Sequence, residues 1–415
     1  MESFNLFIVN QVLKESIPPT IENGEIILEI NGKSYIESVF DEDSQFSEVD
    51  ILFLKSVVDC IENGDEIDVN IIHNAPIFKL WYLLTHEKYF VKNIKLDKYD
   101  RIGFDNVSEP FKKILIVPIA DILSELIRKY FNVFSKSETK VYLTCDYDHL
   151  NIWDVWGVKQ FIREILMSLK IGFFRKSIYS FFSFFLSRFF KRFNRYLNAD
   201  AFILNNKAEN IAFFIPENLN TNFDGFINYS NKPVRSFISY LKQNNVQIGL
   251  HTSFNTMDDY NSIYTQTDKM NLLFQMKPKY NRHHYLRFKF TSYLEALEKV
   301  QIKKDFSLYF PESLVFRCGM SSPFYVWDFQ SNKPFDTELV PTTLMDGTFS
   351  DYLMANYQDS LRLCKQKLDL SIKYGSTVVL LWHNSCLNKY YRQNNFHPLL
   401  YGQLIDYLKE KNLLH

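Results

Sequence analysis

The chain is poor in cysteine, and the five it has stand at positions 60, 145, 318, 364 and 386. The count is odd and no two are close in sequence. This excludes a disulfide framework and a zinc knuckle and fits a reducing compartment. Excess charge of either sign is lacking too: the net charge is −1, so nothing points to a nucleic-acid partner. The N-terminus, MESFNLFIVNQVLKES, lacks the basic start and long apolar core of a secretion signal. No run of about 18 apolar residues is free of charge, so no membrane span is expected and a cytoplasmic location is the default. Glycine is scarce at 12, whereas Phe (39) and Tyr (25) are abundant enough to fill a large aromatic core. With 415 residues, two domains are expected rather than one.

Residues 1–135 alternate short apolar runs with polar ones and carry no chemical constellation. They read as an α+β N-terminal domain, ending at the polar stretch SKSETK. From 136 to 415 apolar strand-like runs recur between helix-like segments: VYLTC, IAFFIP, VQIGLH, SLVFRCG and TVVLLWHN. Strands alternating with helices predict a parallel sheet or an α/β barrel. In such folds chemistry sits at the carboxyl ends of strands. The segment 175–197, RKSIYSFFSFFLSRFFKRFNRYL, mixes Phe with basic residues on one expected helix. A stripe facing the core with a basic solvent face is one reading, and a membrane-surface helix is the other.

Several of the expected strand ends carry reactive groups. In VYLTCDYDH, Asp146 and Asp148 are two residues apart, so on an extended strand they point to one side. Two carboxylates placed so repel each other unless a cation sits between them or one is protonated. Paired acids also cap helix starts, which is the plainer reading. His251 follows the strand QIGL directly. In NRHHYLRF, Arg282, His283 and His284 are adjacent, so at most one His should reach a site. Arg317 ends SLVFR, and its planar fork suits a carboxylate. Asp346 stands in LMDGTF. His383 ends VVLLWH and suits a general acid. Trp153, Trp156, Trp327 and Trp382 are candidate sugar-stacking platforms.

This ordered set resembles the polysaccharide deacetylase family of metal-dependent carbohydrate esterases. The closer likeness is to a bacterial subgroup with an extra N-terminal domain and strings such as GLH-x-S, R-x-HYL, FR-x-G and LWHN. The likeness covers 136–415, and reaches the N-terminal part through WYLLTHEKYF and DKYDRIGF. It implies a distorted (β/α) barrel of seven strands acting on an N-acetylated sugar in a polysaccharide or oligosaccharide. It further implies Asp146 as general base, Asp148 and His251 as ligands of a divalent metal such as zinc, and Arg317 holding Asp146. His383 would be the general acid, with its pKa raised by Asp346. The family's second metal His falls at Asn255 here. His284 is the candidate for the missing ligand, and His149 a weaker one. Two alternatives stay open: a barrel that binds carbohydrate or a partner without turnover, and hydrolysis of a non-sugar amide.

Overall fold

The computed structural model describes all residues except 1, 15–18, 93, 134–137, 151–154, 171, 173, 188–206, 220–222, 258 and 388–395. The expected boundary at 135 falls outside the described residues.

The N-terminal part opens with a helix, Glu2–Leu13, followed by a three-stranded antiparallel sheet of β1 (Thr20–Glu22), β2 (Glu25–Ile30) and β3 (Lys33–Ser38). Helices Glu48–Asn63, Ile77–Thr85 and Ile119–Phe131 pack around it. The first of these starts where its sequence says it should. The Ser47 hydroxyl accepts from the Asp50 N–H while the Asp50 carboxylate accepts from the Ser47 N–H. Gly64 in the left-handed region ends it.

The second half is an eight-stranded all-parallel sheet. It contains β4 (Lys140–Tyr147), β5 (Glu209–Phe214), β6 (Gln247–Thr252), β7 (Tyr280–His283), β8 (Lys304–Asp305), β11 (Glu338–Leu339), β12 (Leu344–Met345) and β13 (Thr377–His383), in the order β11-β8-β7-β6-β5-β4-β13-β12. Its outer members β11 and β12 belong to one stretch of chain. That stretch pairs with β8 through its first half and with β13 through its second, and backbone N–H groups of Val340, Thr342 and Thr343 donate to Asp305, Leu308 and Val379. The sheet is thereby closed into a distorted barrel in which this stretch acts as one strand. The short pair β9 (Trp327–Asp328) and β10 (Lys333–Pro334) lies outside it.

The alternation of each strand sorts its side chains. On β4, Val141, Leu143, Cys145 and Tyr147 face the helices, while Tyr142 joins Ile211, Phe213, Phe306, Val340 and Val379 inside the barrel. Gly249 on β6 is needed at that depth, because a Cβ there would stand 2.5 Å from the Phe213 ring. A separate apolar cluster runs from Phe4 through Phe131 and on through Met257, Phe288 and Leu339, so the N-terminal part and one flank of the barrel share packing.

One expectation is corrected. SLVFRCG is not a strand: Arg317–Gly319 form a 3₁₀ turn with Cys318 at φ 60°, outside the sheet. The helix Phe174–Leu186 packs on the helix Val155–Lys170 through Phe184, which is buried, while Phe174, Ile178 and Phe182 stay exposed. Residues 188–197 of that segment lie outside the described residues. No helix among the described residues is long and apolar enough to cross a membrane.

Candidate active site

The carboxyl ends of β4, β6, β7, β12 and β13 surround a cavity of about 590 Å³. It is lined by Asp146, Asp148, His251, His284, Asp346 and His383, among others. Register explains the gathering. His383 pairs beside Asp146 across β13–β4, and His251 beside Arg282 across β6–β7.

Asp148, His251 and His284 each offer a ligand atom, and these atoms lie within 4.8 Å of one another. His251 Nε2 is 3.5 Å and His284 Nε2 3.7 Å from Asp148 Oδ1. Both imidazoles are fixed from behind. His251 Nδ1–H donates to the Arg282 carbonyl at 2.7 Å, and His284 Nδ1–H to Asp224 at 2.8 Å. Each Nε2 lone pair therefore faces the centre, the arrangement that metal-ligating histidines adopt. Asp148 Oδ1 and His251 Nε2 are buried and have no hydrogen-bonding partner among the described residues. Buried polar atoms without partners are costly, and a divalent cation would satisfy both. An Asp–His–His donor set fits that group. Burial pushes the Asp148 carboxyl up, but His251, His284 and His383 outweigh it and hold it well below the usual carboxylate range. Burial draws the His251 ring down, yet Asp146 and Asp148 together hold it above the ordinary histidine value.

Asp146 is buried, with Oδ1 accepting from Arg282 Nη1 at 2.7 Å and Oδ2 3.6 Å from His251 Nε2. The guanidinium that holds Asp146 is therefore that of Arg282, which corrects the expectation for Arg317. Arg282 also donates to Thr144 Oγ1 and the Phe306 carbonyl, and lies 4.5 Å over the Phe213 ring. Arg317 is off the sheet and cannot be delivered to the rim. It forms a two-pronged pair with Glu87, at 2.9 Å on each prong, and donates to the Tyr309 carbonyl.

Across the cavity, Asp346 accepts from His383 Nδ1 at 2.8 Å and from the His383 backbone N–H at 2.7 Å. Burial would lower the His383 pKa, but Asp346 first, then Asp148 and Asp146, raise it to about 10. This leaves a protonated Nε2 available to the cavity.

Asn255, the position at which the resemblance implied a second metal His, is exposed and donates to the Leu219 carbonyl. The second imidazole comes instead from His284, at the end of β7. His283 is buried and turns toward Thr256. His149 lines the cavity but is not part of the three-residue cluster. Trp327 is buried against Phe4 and Phe7, and Trp382 packs on Tyr401 among the helices, so neither is a stacking platform. Trp153 and the side chain of Trp156 lie outside the described residues.

Two contributors were missed in the sequence. Asp224 sits in a loop and orients His284, and it also accepts from the Phe254 and Leu219 N–H groups. Its neighbour gives the one available signal. A Cβ on Gly225 would stand 1.9 Å from the Asp148 carbonyl oxygen, so only glycine lets this loop lie on the end of β4. The second is the turn 97–101. Lys98, Tyr99 and Arg101 line the cavity, Tyr99 stacks on Tyr285 at 4.4 Å, and Arg101 bridges Asp97, the Tyr285 carbonyl and Tyr352.

No protein-family model matches the chain, and no curated protein does. Among solved structures the chain is similar to a "putative polysaccharide deacetylase" from Mycobacterium smegmatis, at 10% identity and a TM-score of 0.39, over 66% of this chain and 86% of that one. It is also similar to Puue allantoinase, at 14% identity and a TM-score of 0.35, over 48% of this chain and 61% of that one.

Proposed function

We propose that this chain is a member of the polysaccharide deacetylase family, a metal-dependent hydrolase that removes N-acetyl groups from an N-acetylated sugar in a cell-surface polysaccharide or its precursor. The observation that carries the reading is the convergence of Asp148, His251 and His284 beside a clamped carboxylate and opposite a carboxylate-backed histidine. A divalent cation such as zinc, held by those three residues, would supply activation of water and a counter-charge for the oxyanion. Asp146, with Oδ1 tied to Arg282 and Oδ2 turned to the centre, takes the proton of the attacking water. His383, kept protonated by Asp346, gives its Nε2 proton to the departing nitrogen. A C–O bond forms as the C–N bond breaks, and the products are acetate and a free amine. The cavity volume of about 590 Å³ suits a sugar unit, and Tyr99, Tyr285 and Phe223 give it aromatic walls.

The test is metal analysis paired with acetate release from N-acetylated oligosaccharides. The zinc-loaded protein should release acetate, and His284→Ala and His251→Ala should each lose most of the bound metal. A protein that takes up no divalent cation yet still binds oligosaccharide would replace this reading with that of a carbohydrate-binding barrel. Metal uptake without acetate release would move the substrate to another amide.

A further inference from the structure

Between β4 and β5 the chain inserts a helical hairpin, Val155–Lys170 and Phe174–Leu186. It begins just past Asp148, so it leaves the barrel on the rim that bears the cavity. The two helices hold each other through Phe161 stacked on Phe184, with centroids 4.0 Å apart. Other large apolar side chains on them are not covered: Ile162, Leu166 and Leu169 on the first helix, and Phe174, Ile178 and Phe182 on the second, are all exposed. Ile162, Leu166 and Leu169 follow a spacing of four and three, so they form one stripe. Lys159, Arg163 and Lys170 are exposed as well, and the helical period places them on the strip beside that stripe. The hairpin sequence carries Lys159, Arg163, Lys170, Arg175 and Lys176 against the single acid Glu164, in a chain whose net charge is −1.

We infer that this hairpin is a docking surface for an anionic lipid bilayer, lying in the headgroup region without crossing it. An apolar stripe edged by cations is what an interfacial helix needs. The rings and branched chains enter the acyl boundary, and the long basic side chains reach back to lipid phosphates. The charge argues against a second copy of the chain as the occupant, because a symmetric contact would bring two net-positive hairpins together.

The experiment is co-sedimentation of the full chain with vesicles of phosphatidylcholine containing phosphatidylglycerol, against vesicles of phosphatidylcholine alone. Binding should need the anionic lipid and weaken as salt is raised. The double variants Phe174→Ser/Phe182→Ser and Arg163→Glu/Lys170→Glu should each lower partitioning by about 10-fold. Their far-ultraviolet circular dichroism and metal uptake should match the parent, which separates lost docking from lost folding. Equal partitioning of parent and variants would overturn the inference. So would a concentration-dependent dimer that the Phe variant abolishes while vesicles bind neither protein. Vesicle binding is read without turnover, so it stands or falls separately from the deacetylase reading.

Discussion

Arg282 and Arg317 are nearly the same object placed in two regions. Each guanidinium is buried, meets one carboxylate, donates to one backbone carbonyl and lies over two aromatic rings, Phe213 and Phe306 for Arg282 and Phe310 and Phe288 for Arg317. What differs is the carboxylate. Glu87 gives both oxygens to Arg317, so nothing is left over for chemistry. Asp146 gives one oxygen to Arg282 and keeps the other toward the cavity. The first pair fastens the N-terminal part to the barrel; the second holds steady, at the cavity, the carboxylate that the proposed function uses as its base. Whether a buried ion pair is a fastener or a tool is set by the oxygens it leaves over.

The sharpest way to break this comparison is Asp146→Asn. Acetate release should fall by about 10³-fold, as for loss of a general base, while metal content stays at the parent level. Glu87→Gln should leave the rate of the folded protein unchanged, and an equal loss of rate there would erase the distinction. Next comes stability, read by denaturant unfolding. Arg317→Leu should cost about 3–5 kcal/mol, because it strands the Glu87 charge in the interior. The double variant Glu87→Leu/Arg317→Leu should recover most of that loss. A third effect concerns His383. Its folded pKa, about 10, lies above the ordinary histidine value. The stability it lends is therefore full below pH ~6.5 and is lost as the pH rises through the folded value. In Asp346→Asn the alkaline limb of the rate profile should move down toward pH ~6.5. The smallest effect is at the wall: Tyr99→Ala should raise KM about 5-fold with kcat little changed, the worth of one stacking contact.

The legible part of the site was the part carried by long strands. Val141–Tyr147 alternates so regularly that the shared side of Asp146 and Asp148 follows from period two alone, and His251 near the end of β6 and His383 at the end of β13 follow the same logic. The misplacement of Arg317 has a physical cause. SLVF has the composition of a strand, but the backbone turns at Cys318, and composition does not encode that turn. Arg282 was visible only as one cation in a dense cluster, because β7 is four residues long and too short to show alternation. Strands β8, β11 and β12 have two residues each and leave no periodic signal, so the closure of the barrel was expected from family likeness rather than from pattern. Asp224 and the turn at 97–101 act through tertiary contacts across long sequence separations, which no local pattern reports.

The stretch 338–345 hydrogen-bonds to a neighbour on each flank and runs directly into Asp346. Among the described residues the barrel therefore presents no bare strand edge on which another chain could template itself. The same few residues that seal the wall also aim the Asp346 carboxylate at His383, so a protease nick or an insertion at this seam would open the wall and break the Asp346–His383 pair in one event.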